Sequence, residues 1–429
     1  MLILLALLAC SPDSEDADPI DVEDEEEEPC EPTVYFQDDD GDGFGTEQTM
    51  ELCQAEDGWA DNADDCDDTN AAANPGELEI PCDGVDQDCD GDDPQGVAFL
   101  GEINYPTLQQ AFDASGDGDT LLVCPGDHEL AAERWGAVDL TIRSAAEDAD
   151  TTRIVAPEGA NQLIDLMGSS GVTLAHLTFS GSSSFFWPTV ELGGSDGRII
   201  DCHFEAIDGD ALKLQADADA TMTVEGARFT DTLDVAIDTH GDGHIVFDDL
   251  TVTGSQSEVL QIGINLASIV VSNSTFENNG GGGAVIRDRG ACPSITVEGT
   301  TFRGNTNDYG VFYMWRSFSD DPFDLVLEDN VIEDNSTGYG GNVIQLRTSG
   351  ADTPSTVLWQ GGTFLRNTSV DDAAFSVYPH SDEISVDIVA VDLGSGVDDN
   401  NPSDVGFNSD DYSWDGVTTV TCVGGDICD

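Results

Sequence analysis

The chain has 429 residues, and its 88 Asp and Glu residues against 12 Lys and Arg residues give a formal net charge of -76. A charge of this size repels nucleic acid and anionic membrane surfaces, so neither is expected as a direct partner. It also repels polyuronates unless divalent cations bridge the like charges. The 11 cysteines indicate an oxidising compartment, and a hydrophobic content of 39% is sufficient for a folded core.

Residues 1–10, MLILLALLAC, form an apolar run that is too short to span a bilayer and is typical of an export signal. Its end, LLAC, resembles the bacterial lipobox. This resemblance implies a lipidated Cys10 that anchors the protein to the outer membrane or cell surface of a bacterium, as its only contact with the bilayer. No Lys or Arg precedes the run, so a truncated ordinary signal is the alternative. Residues 11–32 are strongly acidic, and we expect a disordered tether there.

Residues 33–93 are predicted to form a small module rich in aspartate and cysteine. Its stretch QDDDGDGFG has aspartates at every second position and Gly43 where a sharp turn is needed, which is the pattern of the first half of a calcium loop. The twelfth loop position is Thr49 instead of a bidentate glutamate, so the closing carboxylate must come from elsewhere. The candidate ligands in the loop are Asp38, Asp40, Asp42 and the backbone carbonyl of Phe44. The further candidates are Asp64, Asp65, Asp67, Asp68, Glu79, Asp86, Asp88 and Asp90.

The order of motifs in this module, Y-x-x-D-x-D-G-D-G-x-G, D-C-D-D, N-P-G-x-x-E and C-D-G-x-D-x-D-C-D-G, resembles the metal-binding motif family related to the copper-binding surface protein MopE. The resemblance implies an extracellular metal-binding module. Copper fits the donor set poorly, because the module has no histidine and Met50 is its one methionine, whereas oxygen ligands favour calcium as the cofactor. A disulfide-stapled acidic spacer is the alternative. The candidate disulfide cysteines of the module are Cys53, Cys66, Cys82 and Cys89.

Beyond Gly96 a short phrase recurs: apolar, any, apolar, four variable residues, and a closing aromatic or aliphatic residue. Successive closing residues are 23 to 32 positions apart, a period that predicts a solenoid of short strands. In four consecutive repeats an asparagine follows three residues after the closing position, and stacked asparagines can satisfy backbone amides along the axis. The closing residues are Phe179, Phe204, Phe229, Val252, Phe276, Phe302, Ile332, Phe364 and Val391, and the asparagines are Asn279, Asn305, Asn335 and Asn367.

The phrase QQAFDASGDGDTLLVCPG, before the repeats, predicts a capping helix with Thr107 as its N-cap, followed by a strand. This phrase resembles the usual opening of the pectate-lyase-like superfamily, and the resemblance extends over the repeats. It implies a mostly β fold, with a single-stranded right-handed parallel β-helix over residues 97–393. Residues 394–429 are predicted to cap the far end, with Cys422 and Cys428 as candidate disulfide partners.

A second strand follows each closing residue, and strand alternation assigns its apolar residues to the interior and their neighbours to one outer face. Arginine, histidine and aromatic side chains on a flat face are suited to binding sugars. The alternative is that each arginine pairs with an acid of a neighbouring coil, such as Asp288 or Asp238. In GVFYMWR the register is ambiguous, so either Tyr313 and Trp315 or Arg316 faces out. The candidate ligand-binding residues are Lys213, His240, Gln261, Arg287, Arg289, Gln345, Arg347 and Tyr378.

Catalysis is a further hypothesis for this face. In polygalacturonase-like relatives, acids on adjacent coils and a basic pair act there, and the resemblance implies Asp208, Asp210, Asp234 and Arg287 as catalytic candidates. The family's Asn-Thr-Asp triplet is missing, the intervening coil has no histidine, and Arg289 replaces the family's lysine.

These observations predict a non-catalytic, lipid-anchored surface protein that uses its β-helix to bind glycans or other envelope components. The alternative function is a polysaccharide-degrading hydrolase or lyase, and a structural spacer without a ligand is the third hypothesis. His240 and His244 could bind a metal, but a turn decorated by polar residues is the favoured interpretation.

Overall fold

The computed structural model describes residues 30–158, 160, 162–181, 187–289, 292–315, 322–338, 341–347, 355–370, 374–378, 384–393, 405–407 and 419–423. By its contacts the described chain divides into two compact units. The smaller unit is the chain up to Glu77 together with Gln87–Asp90, and the larger is Leu78–Asp86 together with the chain from Gly91 onward. No helix in these segments is long and apolar enough to cross a membrane. The boundaries predicted from the sequence stay predictions.

The smaller unit contains a short antiparallel sheet and two disulfides. Its strands are Thr33–Gln37, Thr49–Leu52 and Trp59–Ala60. Few apolar residues are buried in this unit, so its two disulfides supply stability that a hydrophobic core would otherwise provide. Cys30 is joined to Cys53 and Cys66 to Cys89.

The larger unit is a parallel β-helix, as predicted from the repeats. Within the described residues its coils build three stacked sheets of ten, eleven and fourteen strands. The first eight repeat phrases each supply one strand to the fourteen-stranded sheet and one to the ten-stranded sheet, and the ninth supplies Ile384–Val389 to the fourteen-stranded sheet. The second strand of the repeat lies in the eleven-stranded sheet.

The strands of the ten-stranded sheet are Gly126–Glu129, Thr152–Val155, Thr178–Ser180, His203–Glu205, Arg228–Thr230, Thr251–Thr253, Thr275–Glu277, Thr301–Arg303, Val331–Glu333 and Thr363–Leu365. Those of the eleven-stranded sheet are Ala132–Glu133, Ile164–Ser170, Val190–Ser195, Leu212–Ala216, Ile237–Gly241, Leu260–Ile262, Ile286–Asp288, Phe312–Trp315, Ile344–Arg347, Phe375–Tyr378 and Val405–Phe407. Those of the fourteen-stranded sheet are Ala98–Leu100, Ile103–Tyr105, Thr120–Val123, Thr141–Ser144, Thr173–Ala175, Arg198–Ile200, Thr221–Glu225, His244–Asp248, Ser268–Ser272, Ser294–Glu298, Asp324–Glu328, Ser355–Gln360, Ile384–Val389 and Thr419–Val423. Gly280–Gly281 and Thr306–Asn307 form a separate two-stranded pair.

The closing residues of the repeats stack in the interior. The register pairs each with the next from Phe179 to Phe364, and the rings of Phe204 and Phe229 are parallel with centroids 4.6 Å apart. The predicted asparagine ladder is also present. The Asn305 side chain accepts from the backbone N–H of Asn279 at 3.0 Å and donates to Asn335 at 2.9 Å. The polar groups of these buried turns therefore form their hydrogen bonds with the adjacent coil.

The N-terminal end of the β-helix carries the predicted cap. Helix α1 spans Leu108–Ala114, and Thr107 is its N-cap, accepting a hydrogen bond from the backbone N–H of Gln110. A disulfide joins Cys82 to Cys124, a partner that the sequence did not assign. The Cys428 residue and the side chain of Cys422 lie outside the described part of the chain.

Candidate functional site

The aspartate loop of the smaller unit follows directly after the strand Thr33–Gln37. Asp38 is buried, and its carboxylate accepts hydrogen bonds from the backbone N–H groups of Gly41 at 2.7 Å and Gly43 at 3.2 Å. Gly43 has φ +94°, a conformation that favours glycine. The loop backbone therefore folds around the Asp38 carboxylate.

Two overlapping groups of carboxylates meet at this loop. One oxygen from each of Asp38, Asp40 and Asp68 lies within 4.8 Å of the others, and the same holds for Asp40, Asp42 and Asp65. The Oδ2 atoms of Asp40, Asp42 and Asp65 are buried and accept no hydrogen bond. Burial raises the pKa of Asp40 and of Asp65, and the neighbouring carboxylates raise it further. A cation placed between the groups would relieve this crowding.

The donor set determines which cation fits. Every candidate ligand atom in the two groups is a carboxylate oxygen, which suits hard divalent ions such as calcium or magnesium. Asp65 also lies near Cys66 and Cys89, but these two cysteines are joined in a disulfide and offer no thiolate. Copper or zinc binding through sulfur is therefore disfavoured at this position.

The structure brings together some predicted ligands and not others. Asp68, one of several acids considered for closing the loop, is part of the first group. Asp67 instead accepts hydrogen bonds from the backbone and hydroxyl of Thr69. The backbone N–H of Phe44 donates to Asp42 at 2.8 Å. Glu79 and Asp86, both in the larger unit, also have carboxylate oxygens within 4.8 Å of each other, as predicted. The predicted ligands that lie in no such group are Asp64, Asp67, Asp90 and the Phe44 carbonyl.

The eleven-stranded sheet aligns polar side chains from successive coils in one row, which we call the polar ladder. Its apolar neighbours, such as Leu212 and Leu214, are buried in the core, so the ladder occupies the outer side of the strands. Tyr313 is in register with Arg287 and Gln345, which resolves the ambiguity in GVFYMWR. The ladder residues are, in order, Glu133, Asp165, Glu191, Lys213, Asp238, Gln261, Arg287, Tyr313, Gln345 and Ser376.

A second row runs beside the ladder, two residues further along each strand. Gln215 is in register with His240, and Arg347 is in register with Trp315 and Tyr378. The side chains of the last three, and Arg316, lie outside the described part of the chain. The backbone register nevertheless places Arg347 on the same sheet as Lys213 and Arg287.

The basic residues of this face form ion pairs with buried glutamates. Lys213 Nζ lies 2.6 Å from Glu191, and Arg287 and Arg289 both contact Glu258, the latter at 3.0 Å. The acids that hold the arginines are thus not those proposed from the sequence. Asp288 is 1% exposed and in register with the interior residues Ile262 and Met314, so it faces inward. Asp238 Oδ2 lies 2.8 Å from His240 Nε2, and Asp238 Oδ1 accepts a hydrogen bond from Gln261 Nε2 at 2.7 Å.

Two predicted ligand residues are much less accessible than expected. Gln261 is 6% exposed and Gln345 is 1% exposed. Coils are stacked about 4.8 Å apart, so the large side chains of adjacent rungs cover an amide that lies between them. The guanidinium of Arg287 lies 5.7 Å from the Tyr313 ring centroid and 6.0 Å from that of Tyr309, within the range of cation–π contacts.

Asp210 is the most perturbed carboxyl group near the ladder. It precedes the strand Leu212–Ala216 by two residues, and its Oδ1 accepts from the backbone N–H of Val235 at 3.2 Å. Burial, followed by the negative charges of Asp234 and Asp238, raises the pKa of Asp210 to about 6. A carboxyl group that keeps its proton beside ionised carboxylates can act as a general acid.

The other catalytic candidates are distributed differently from the expectation. Asp234 is half-buried and Asp208 is exposed. Arg287 is on the third coil after the one that contains Asp210, so roughly 14 Å of stacking separates the two. The structure therefore groups Asp210 with Asp234 and Asp238, and Arg287 belongs to a separate group with Glu258.

An open depression at the start of the ladder was missed by sequence reasoning. It has a volume of about 690 Å³ and is lined by Trp135, Asp165, Met167, Trp187, Glu191 and Gln215. Trp135 is 72% exposed and Trp187 is 54% exposed. A neighbouring depression of about 490 Å³ shares both tryptophans and reaches Glu133. Trp135 precedes the first repeat phrase, and Trp187 lies between the first closing residue and the strand that follows it, so the two tryptophans themselves were the available sequence signal.

Two family models match this chain. Residues 190–368 match the family described as a right handed beta helix region, and residues 65–93 match the Cu-binding MopE metal-binding motif. The chain therefore carries a metal-binding motif followed by a right-handed β-helix region.

Two solved structures are also similar to the chain. One is the A-module of the mannuronan C-5 epimerase AlgE6 of Azotobacter vinelandii, at 14% identity over 74% of this chain and 93% of that chain, with a TM-score of 0.43. The other is a mutant of the periplasmic alginate epimerase AlgG, at 13% identity over 76% of this chain and 80% of that chain, with a TM-score of 0.36. None of the curated proteins matches the chain.

Proposed function

We propose that this protein is a lipid-anchored, extracytoplasmic glycan-binding protein whose β-helix holds a polysaccharide chain along the polar ladder without cleaving it. The observation that carries the proposal is the pair of exposed tryptophans, Trp135 and Trp187, beside the polar side chains of the first rungs. Exposed indole rings are platforms on which the apolar faces of sugars stack. The adjacent carboxylates and amides supply hydrogen bonds that orient the chain.

The ion pairs of the ladder support binding because they fix the polar groups in advance. Glu191 holds Lys213, and Glu258 holds both Arg287 and Arg289. A preorganised face loses less side-chain entropy when a ligand binds.

Calcium in the aspartate loop is part of the same proposal. The buried Oδ2 atoms of Asp40, Asp42 and Asp65, which accept no hydrogen bond, support a hard cation there. The lipobox-like sequence before Cys10 supports a lipid anchor. A cation-stabilised module near the anchor would keep its structure outside the cell, where calcium is abundant.

The test is a glycan array followed by calorimetry on the full chain. We expect wild-type protein to bind at least one polysaccharide class, and Trp135→Ala to weaken that binding about tenfold or more, as is usual for a central tryptophan. Leu78→Ala removes another exposed apolar side chain and serves as the matched control. Failure of the wild type to bind any glycan, or equal losses in the two variants, would refute the proposal.

Hydrolysis of the bound polysaccharide is the second candidate function. The raised pKa of Asp210 favours it, because a protonated carboxyl beside Asp234 is what glycosidic cleavage requires. Release of reducing ends from a polysaccharide panel distinguishes the two functions. An enzyme would lose this release in Asp210→Asn and keep it in Asp219→Asn, which changes an exposed turn. If no substrate yields reducing ends, the non-catalytic function stands.

A further inference from the structure

Carboxylates outnumber basic groups along the described part of the ligand face. The ladder and its flanks carry the acids Glu133, Asp165, Glu191, Asp210, Asp234, Asp238 and Glu258 and the bases Lys213, Arg287 and Arg289. His240 adds a charge only when it is protonated. The face therefore has the same sign of charge as the protein as a whole.

The bases of this face are paired with acids of the fold, although one glutamate serves both arginines. Lys213 lies against Glu191, and the two arginines share Glu258, whose side chain is 8% exposed. The acids that remain are those toward the tryptophan end and around Asp238. These include Glu133 and Asp165 at the depression, where Asp165 accepts a hydrogen bond from the indole N–H of Trp135 at 3.3 Å.

An acceptor that lacks a donor lies in the same row. Gln261 is 6% exposed, its Nε2 donates to Asp238, and its carbonyl Oε1 has no hydrogen-bond partner. A buried carbonyl without a donor costs free energy, so this stretch of the ladder is short of donors within the fold. Carboxylate acceptors therefore outnumber the basic donors of the described ladder and its flanks.

We propose that the ligand of this face is a cationic glycan, a polysaccharide of amino sugars whose amines are free and protonated. The inference rests on the proposed glycan-binding function and assigns its ligand class. Protonated amines would donate to the carboxylates of the ladder while the sugar rings stack on Trp135 and Trp187. An ammonium group over an indole gains a cation–π contact as well.

The same charges select against other glycans. A neutral glycan gains the stacking contacts but forgoes the charge-assisted hydrogen bonds. A polyuronate is repelled by the remaining carboxylates and by the electrostatic field of a chain with a net charge of -76. The order of affinity is therefore cationic, then neutral, then acidic.

The experiment compares three oligosaccharides on the full chain by calorimetry: a glucosamine hexamer, its fully N-acetylated counterpart and a mannuronan hexamer. It is run near about pH 5.5, where ordinary carboxylates are ionised and sugar amines are largely protonated. We expect the glucosamine hexamer to bind at least about tenfold more tightly than the acetylated hexamer at low salt. The advantage should shrink in about 0.5 M salt, because salt screens exposed charges.

Variants identify the groups responsible. Asp165→Asn and Glu133→Gln should each lower affinity for the glucosamine hexamer about two- to fivefold, as expected for exposed charge pairs, and lower affinity for the acetylated hexamer by a smaller factor. Glu298→Gln changes an exposed glutamate of the fourteen-stranded sheet and should alter neither. Trp135→Ala should weaken both ligands.

The outcomes separate this inference from the proposed function. Equal or tighter binding of the acetylated hexamer or the mannuronan hexamer would overturn the cationic ligand and leave glycan binding intact. If the charge variants change nothing while the tryptophan variant still weakens binding, the inference is also wrong. A failure of every glycan to bind would refute the proposed function itself.

Discussion

Replacing Asp210 with asparagine should stabilise the β-helix at neutral pH. Burial and the neighbouring Asp234 raise the pKa of Asp210 from 3.8 to about 6. The native state therefore holds this proton more tightly than the unfolded chain does, so stability falls as the pH rises between these two values. Above about pH 6, the wild type carries the full cost of ionising Asp210 in this environment.

The magnitude follows from the size of the shift. A shift of about two pKa units corresponds to about 3 kcal/mol at 1.36 kcal/mol per unit, and partial solvent access reduces this to about 1–2 kcal/mol. In the wild type the backbone N–H of Val235 donates to Asp210 at 3.2 Å. The amide oxygen introduced by Asp210→Asn can accept the same hydrogen bond. The gain in stability should therefore appear at neutral pH and vanish near about pH 4.

Urea unfolding of the full chain at about pH 4 and pH 7.5 measures the effect through the transition midpoint. Asp208→Asn, at an exposed position nearby, controls for the general relief of removing one negative charge from an acidic protein. A variant that gains no more than this control at pH 7.5, or that gains equally at both pH values, would refute the reasoning.

Three further predictions concern stability and metal binding. Asn305→Ala removes a buried amide that bonds to Asn279, Asn335 and a backbone carbonyl, and we expect a loss of about 2–4 kcal/mol in urea unfolding; a loss below about 0.5 kcal/mol would contradict the ladder. Phe204→Ala empties a fully buried ring position, and calorimetry should show a destabilisation of about 3–5 kcal/mol, whereas an unchanged melting temperature would count against the stacked core. Calcium should raise the melting temperature of the aspartate-loop module and EDTA should lower it, and Asp40→Asn should abolish this response; an identical response in the variant would exclude these carboxylates as ligands.

The fold could be predicted because each coil repeats the same local pattern. The closing residues from Phe179 onward are apolar at a regular spacing, and the register places them in one stack. Thr107 was recognisable as an N-cap because it precedes an apolar helical run. Signals of this kind depend on neighbours in the chain, which a sequence displays directly.

The candidate site could be predicted only in part, because its contacts join residues on different coils. The ladder positions of Lys213 and Arg287 followed from strand alternation. The contact of Lys213 with Glu191 depends on the register between adjacent strands, and that of Arg287 with Glu258 depends on the path of the chain before the strand Leu260–Ile262. Asp38, Asp40 and Asp42 were found through their spacing. Which later acid approaches them depends on how the intervening chain folds back, and spacing carries no information about that.

The in-register stacking of the ladder has a consequence for how such a protein could change over evolution. Each coil contributes one rung and rests only on its two neighbours, so whole coils can be inserted or deleted while the other rungs keep their register. Every added coil would extend the face by about 4.8 Å. The length of the polymer that we propose for this face could thus be adjusted in discrete steps, independently of the chemistry of any single rung.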